Sequence, residues 1–232
     1  MIVKPIRTAI FREGENLETF ILRHVKKIRE ESVLVVTSKI VALSEGRTAD
    51  PADRERIIKE ESKLAIRTPY TWLTVKDDMV MSSAGIDESN VEGKLVLLPK
   101  DSYKTAATLR TKLMKHFGVK KLGVLIPDSR LLPFRAGAVG VAMGYAGFKG
   151  IRDYRGSKDI FGRVLKISRT DVADSLATAA VLEMGEGNER YSLALITDAR
   201  VDFVHRIKKD ELKIEIENDL YRPLFQYMDK KK

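Results

Sequence analysis

Apolar positions change their spacing several times along this chain, and each change predicts an element. From Glu15 to Glu30, the residues Leu17, Phe20, Ile21, Val25 and Ile28 recur at helical spacing, which predicts an amphipathic helix. Val33 to Val36 is an unbroken apolar run and reads as a short buried strand. Asp50 followed by Pro51 is a helix start, because the carboxylate can cap and proline suits the first helical position; this helix is expected to reach about Ile66. Thr71 to Val80 reads as strand with polar interruptions, and Leu95 to Leu98 and Leu122 to Ile126 as two more strands. Ser102 opens a helix whose buried stripe is Ala106, Leu109, Leu113 and Phe117, ended by Gly118. Ser168 and Asp171 have capping-box spacing before a helix carrying Val172, Leu176, Ala180 and Met184. Leu193 to Thr197 and Val201 to Val204 are late strands, and Lys208 to Tyr227 is expected to fold back on the core as helix or strand. Gly137, Gly140, Gly144, Gly147 and Gly150 mark close backbone packing or a loop near a ligand.

Helices and strands alternate, but without the regularity of a doubly wound sheet. The fold class read from this pattern is α+β, with mixed sheets and flanking helices. A chain of 232 residues can bury a sizeable core as one domain, or as two subdomains with a site in the cleft between them.

Composition removes several function classes. No apolar run approaches the roughly 20 residues needed to span a bilayer. The best candidate, Ala136 to Phe148, is short and interrupted by glycines, and the first residues do not read as a signal peptide. Cysteine is absent, so disulfides, thiolate metal sites and cysteine nucleophiles are excluded together. A cytoplasmic protein is expected. The net charge of +9 invites a nucleic-acid reading, but the basic residues are scattered among acids, apart from Lys230 to Lys232. No nucleic-acid-binding signature is present, and a basic surface suits nucleotides or polycarboxylates as well.

Three segments carry candidate chemistry. In SSAGIDESN, Ser82 to Asn90, small residues and a glycine let the backbone turn tightly and aim Asp87 and Asn90 inward, although the same residue types also dominate ordinary turns. In IPDSRLLPFRAG, Ile126 to Gly137, an apolar strand delivers Asp128 and Ser129 with Arg130 and Arg135 nearby. A carboxylate and a hydroxyl are hard oxygen ligands for magnesium or manganese, and arginine can hold two phosphate or carboxylate oxygens at once. In MGEGNE, Met184 to Glu189, Gly185 and Gly187 free backbone amides for an anion while Glu186 and Glu189 could hold a cation; a glycine helix cap accounts for only one of the two glycines. His24, His116 and His205 read as structural, and no nucleophile elbow is present.

Taken together, these segments resemble the coenzyme F-420 γ-glutamyl ligase family. The resemblance runs from about Val33 to Ile196 through six segments in one order: TSKIVALSEGR, AGIDESN, LLPKDSYKTAATLR, GVLIPDSRLLPFRAGAVGVAMGYAG, DYRGSKDIFGR and VADSLATAAVLEMGEG. It implies an α+β, intertwined homodimer that binds GTP and a divalent metal, Mg2+ or Mn2+, often with K+ as well. The implied reaction passes the γ-phosphoryl group to an acceptor carboxylate, and the acyl phosphate is then attacked by the α-amine of L-glutamate. By position, Asp87, Asp128, Ser129 and Glu186 fall where the family places metal ligands. Ser38, Lys39, Asn90 and the loop Met184, Gly185, Gly187, Asn188, Glu189 to Tyr191 fall where it contacts the nucleotide. Arg135, Asp153 and Asp159 are expected near the metal ligands or the acceptor, and no side chain is assigned as a catalytic general base.

Departures from the family pattern limit what transfers. Leu43 stands where the family usually has a lysine of the nucleotide site. The proline-containing N-terminal loop is replaced by Arg7-Thr8-Ala9-Ile10, and a Gly-Arg-Pro-Trp-Arg stretch by Leu131-Leu132-Pro133-Phe134-Arg135. GTP or ATP, and F-420-0 or a folate-like acceptor, therefore stay open. A nucleotide-binding module without turnover is the alternative, with a basic nucleic-acid-binding protein ranked behind it.

Overall fold

The computed structural model describes residues 1–224. In chain order the elements are β1 (Ile2–Ile6), α1 (Leu17–His24), β2 (Ser32–Val36), α2 (Ser38–Ser44), β3 (Thr48–Ala49), α3 (Arg54–Glu60), β4 (Leu64–Arg67), β5 (Trp72–Lys76), β6 (Met79–Ser82) and β7 (Leu95–Val96). They continue with α4 (Ser102–Phe117), β8 (Leu122–Leu131), β9 (Ala138–Ala146), β10 (Ile151–Asp153), β11 (Arg169–Asp171), α5 (Val172–Met184) and β12 (Leu193–Thr197). No helix among the described residues is long and apolar enough to cross a membrane.

The main sheet has the order β1-β12-β2-β8-β9, with β2 and β8 parallel and the other neighbours antiparallel. Every residue of β2 is buried because helices cover both faces, which explains its unbroken apolar run. Leu34 and Val36 point to one face with Val124, Ile126 and the residues of α1, α2 and α4. Val33 and Val35 point to the other with Leu125 and the apolar side of α5. A smaller cluster, built from α3, β5 and the segment around Ile86, lies beside the three-stranded sheet β4-β5-β6. The architecture is mixed α and β with several sheets, as the sequence pattern implies.

Helices α4 and α5 form where expected, but their caps are shifted. Asp101 rather than Ser102 caps α4, its side chain accepting from Lys104 N at 2.9 Å. Asp171 caps α5 by accepting from Asp174 N at 2.9 Å, so the Ser168 capping box does not form.

Other elements differ from the expectation for physical reasons. Helix α1 ends at His24, yet Val25 and Ile28 stay buried from an extended chain, so the apolar spacing outlasts the helix. The helix begun at Pro51 ends at Glu60, because Leu64–Arg67 pairs with β5 instead. Thr71 to Val80 is a hairpin, not one strand: Asp77 and Asp78 both have positive φ, the geometry of a tight two-residue turn.

Two elements carried no periodic signal. Helix α2 has only seven residues and is buried almost all round. Strand β9 is formed by the glycine-rich segment, whose glycines let helices approach. A Cβ on Gly140 would lie 2.4 Å from Ala177 O of α5, and one on Gly144 would lie 2.5 Å from the Ser102 carbonyl carbon of α4. Val201 to Val204 forms no strand, although Phe203 bridges Phe148. The segment 208–215 is irregular, followed by a 3-10 turn at Ile216–Asn218, and residues 225–227 of the expected C-terminal element lie outside the described residues.

Candidate active site

The pairing of β8 with β9 changes where the chemistry begins. The register of β8 shifts between Ile126, paired with Gly144, and Pro127, paired with Ala142, which leaves Met143 of β9 as the extra residue of a bulge. The strand then continues to Leu131, so Asp128 and Ser129 sit inside a paired strand rather than in a loop after one. Asp128 Oδ1 accepts from Ser38 Oγ at 2.8 Å, at the start of α2. Its Oδ2 accepts from the buried guanidinium of Arg130, which also donates to Ser129 O at 2.8 Å. Ser129 Oγ donates to the carboxylate of Glu186, just beyond α5.

The second segment is fixed by strained backbone. Ser83, Ala84 and Gly85 all have positive φ, and Ala84 N donates to Thr74 Oγ1 at 2.8 Å. A Cβ on Gly85 would lie 2.7 Å from Leu98 side-chain carbons. Beyond this turn, Asp87 and Val96 exchange both backbone bonds, 3.0 Å and 2.8 Å, which fixes the Asp87 Cα against β7. Asp87 Oδ2 accepts from Lys39 Nζ at 2.7 Å, and Oδ1 from Ser89 N at 2.8 Å. Burial alone would raise the Asp87 pKa, but the Lys39 ammonium and the Ser89 donors outweigh it and hold the carboxyl below its ordinary range.

The third segment closes the arrangement. Asn90 Nδ2 donates to Gly187 O at 3.0 Å, tying the loop after β6 to the loop after α5. Gly187 N donates to Glu189 Oε2 at 2.8 Å, so this carboxylate folds over the glycines. Gly185 ends α5 at φ 78°, ψ 169°, which is not the left-handed cap of an ordinary helix end.

The residues expected to bind metal or nucleotide, Ser38, Lys39, Asp87, Asn90, Asp128, Ser129, Met184, Gly185, Glu186, Gly187, Asn188 and Glu189, line one cavity of about 740 Å³. The family profile "F420-0:Gamma-glutamyl ligase" matches residues 5–198. Similar proteins include the coenzyme F420:L-glutamate ligase of Methanococcus maripaludis, 33% identical over 88% of this chain and 82% of that one. That of Methanocaldococcus jannaschii is 32% identical over 92% of this chain and 93% of its own. That of Methanopyrus kandleri is 35% identical over 77% and 79%. The chain belongs to the F420-0:gamma-glutamyl ligase family. It is an enzyme of the amide-forming ligase class.

Not every residue singled out from the sequence of this ligase reaches the cavity. Arg135, Asp153 and Asp159 are absent from its lining. The carboxylates of Asp153 and Asp159 are taken up locally, by Arg155 and Arg163 and by nearby backbone N–H groups. Conversely, the N-terminal segment Ala9 to Glu13 forms one wall, together with Leu43 and Val91. Irregular chain carries no periodicity, so only the position of this segment in the family pattern hinted at a role.

The donor chemistry bears on metal binding. Among the described residues, no three His, Cys, Asp or Glu side chains converge as an all-protein metal cage. Magnesium needs none: it is commonly held by one or two carboxylates plus substrate phosphates and water. The carboxylates of Asp87, Asp128 and Glu186 and the Ser129 hydroxyl are hard oxygen donors of that kind and line the same cavity, with Asp87 paired to Lys39 and Asp128 to Arg130.

Proposed function

We propose that this chain joins L-glutamate to the carboxylate of F-420-0 at the expense of a nucleoside triphosphate, GTP or ATP, through an acyl phosphate. The observation that carries the reading is the convergence of Lys39, Asp87, Asp128, Ser129 and the 184–191 loop on one cavity. The family description, F420-0:Gamma-glutamyl ligase, and relatives that are coenzyme F420:L-glutamate ligases support this acceptor and amino acid.

A carboxylate is a poor electrophile until one of its oxygens becomes a leaving group. Transfer of the γ-phosphoryl group supplies that: the acceptor oxygen bonds phosphorus as the bond to the β-phosphate breaks. The glutamate amine then attacks the acyl carbon, the C–N bond forms, phosphate leaves, and the amine loses a proton. Because both substrates are anionic, the site must supply positive charge and oriented N–H groups. Lys39 provides an ammonium, and Ser38 opens α2 beside Asp128. Gly185 to Glu189 line the same cavity. Asp128, Ser129, Glu186 and Asp87 would hold Mg2+ or Mn2+, which when bound neutralises charge between triphosphate and carboxylate. K+ would add to the same screening.

We also assign a homodimer as the working form. Phe134 is fully exposed at the β8–β9 hairpin tip beside Leu131 and Leu132, and Ile160, Phe161 and Ile167 are exposed on the loop between β10 and β11. Apolar side chains in such numbers suit burial against a second copy. Light scattering that gave a monomer at micromolar concentration would remove this assignment.

The reaction is tested by incubating the protein with L-glutamate, F-420-0, Mg2+ or Mn2+, and GTP or ATP in turn. The expected product carries an added glutamyl unit and appears only with a triphosphate. Asp128→Ala is expected to abolish it; full activity in that variant would defeat the site assignment.

A further inference from the structure

The cavity wall made by Ala9 to Glu13 is irregular chain, with the Glu13 carboxylate held by Thr48 and Lys94. At one end, Thr8 N donates to Arg190 O at 2.9 Å, and at the other Gly14 N donates to Leu43 O at 3.0 Å. Between these ends the backbone is held by a side chain from α1: Ala9 N donates to His24 Nε2 at 3.0 Å. The other ring nitrogen, Nδ1, lies 2.9 Å from Phe20 O. Because Nε2 accepts, the hydrogen must sit on Nδ1 and be donated to that carbonyl, so the two bonds select one tautomer. The ring also packs on Phe20 with centroids 4.4 Å apart, and Phe20 meets Phe11 of the wall edge-on at 4.8 Å. One imidazole thus ties the helix, the aromatic core beneath the wall and the wall's own backbone together.

The wall presents Arg12 to the cavity. Arg12 is exposed, and its guanidinium has no hydrogen-bond or ion-pair partner among the described residues. An unpaired guanidinium in a cavity lining is equipped for two-point binding of phosphate or carboxylate. We infer that His24 is a positioning residue of this ligase: through Ala9 it holds the wall so that Arg12 meets an anionic group of an incoming substrate. The inference rests on the cavity being the ligase site. The anionic group belongs either to the triphosphate or to the acceptor, and the two arms of the test separate these.

The test uses the full-length protein, with His24→Phe, which keeps a ring against Phe20 but removes the acceptor, and His24→Gln, which offers Oε1 at a similar reach. Steady-state kinetics are run with the triphosphate varied in one arm and the acceptor in the other, and hydrogen exchange is followed in the peptide covering residues 7–14. His24→Phe is expected to raise KM about tenfold in one arm with kcat within about twofold, the mark of lost binding rather than lost chemistry. Exchange in the wall peptide should accelerate while the core peptides stay protected. His24→Gln should restore both, and Arg12→Ala should raise the same KM and add little when combined with His24→Phe. Faster exchange with both KM values unchanged would overturn the inference, as would full additivity of the Arg12 and His24 changes. Absence of glutamyl transfer by the wild-type protein would instead defeat the ligase reading. In that event, calorimetric binding of the triphosphate and, separately, of F-420-0 to wild type and His24→Phe decides the inference alone, equal affinities for both ligands overturning it.

Discussion

Lys39 Nζ lies 2.7 Å from Asp87 Oδ2 although 48 positions of sequence separate the two residues. The pair joins α2, on the main sheet, to the turn that follows β6, and the same ammonium also donates to Ser89 O at 2.7 Å. It therefore fixes the distance between two sides of the cavity and supplies a positive charge inside it.

Replacing that ammonium is expected to affect catalysis and acid sensitivity together. Lys39→Met should lower kcat/KM about hundredfold, the scale of losing one preorganised electrostatic group. The Asp87 carboxyl is held below its ordinary range in the native state, so its contribution to stability is present above the unfolded pKa of 3.8 and lost as pH falls. In Lys39→Met the Asp87 pKa should rise, so the variant should be less stable than wild type near neutral pH and should lose less stability as pH falls. Steady-state kinetics and acid titration followed by circular dichroism check the two halves.

A second ion cluster holds the small sheet to the rest. The Glu61 carboxylate accepts from Arg47 Nη2 at 2.8 Å and 2.9 Å and from the buried Lys76 ammonium. Glu61→Gln leaves two cations with a neutral partner and is expected to cost about 3 kcal/mol in denaturant unfolding. Burial by itself would raise the Glu61 pKa, but Lys76 and Arg47 pull it below 4.5. Wild type therefore loses this stability as pH falls through the acid range, and the variant should show a flatter acid limb.

Asp171 behaves in the opposite sense. Burial, with the neighbouring Asp174 charge, raises its pKa to about 6, against backbone N–H bonds that lower it. A carboxyl whose folded pKa lies above its unfolded value favours folding when protonated, and that contribution is lost as pH rises through about 6. Asp171→Asn keeps an oxygen to cap α5 and removes the charge. Its Tm should exceed wild type by about 2–4 °C at pH 8, and the gain should vanish near pH 4.

The glycines of β9 are expected to be intolerant of a single methyl group. Gly140→Ala and Gly144→Ala each drive a Cβ into helix backbone, at 2.4 Å from Ala177 O and 2.5 Å from Ser102 C. Each should cost about 1–3 kcal/mol. Gly156→Ala, where no atom lies within 4 Å, should cost less despite its positive φ, and chemical denaturation of the three variants separates packing from backbone strain.

Much of the scaffold was legible without coordinates. The stripes of α4 and α5 and the apolar run of β2 each report burial of a face, and burial repeats with the period of the element that carries it. The residue types around Asp87, Asp128 and Met184 announced oxygen donors, tight turns and free backbone amides for the same local reason. Absence of cysteine likewise removed a whole chemistry at once.

Long-range pairing decided the rest. Nothing within β8 signals that its apolar half continues past a register shift at Pro127 into the strand bearing Asp128, since that depends on β9. Leu64–Arg67 left the preceding helix because β5 was available to pair with it. Asn90 meets Gly187, and His24 meets Ala9, through single hydrogen bonds that leave no repeating trace in either segment. Arg135, Asp153 and Asp159 carry suitable groups yet stay outside the cavity, and the carboxylates of the two aspartates are bonded to nearby arginines. Periodicity encodes which side of an element is buried; which remote element buries it, and so which side chains share a cavity, is settled only by the packing and hydrogen bonds of the folded chain.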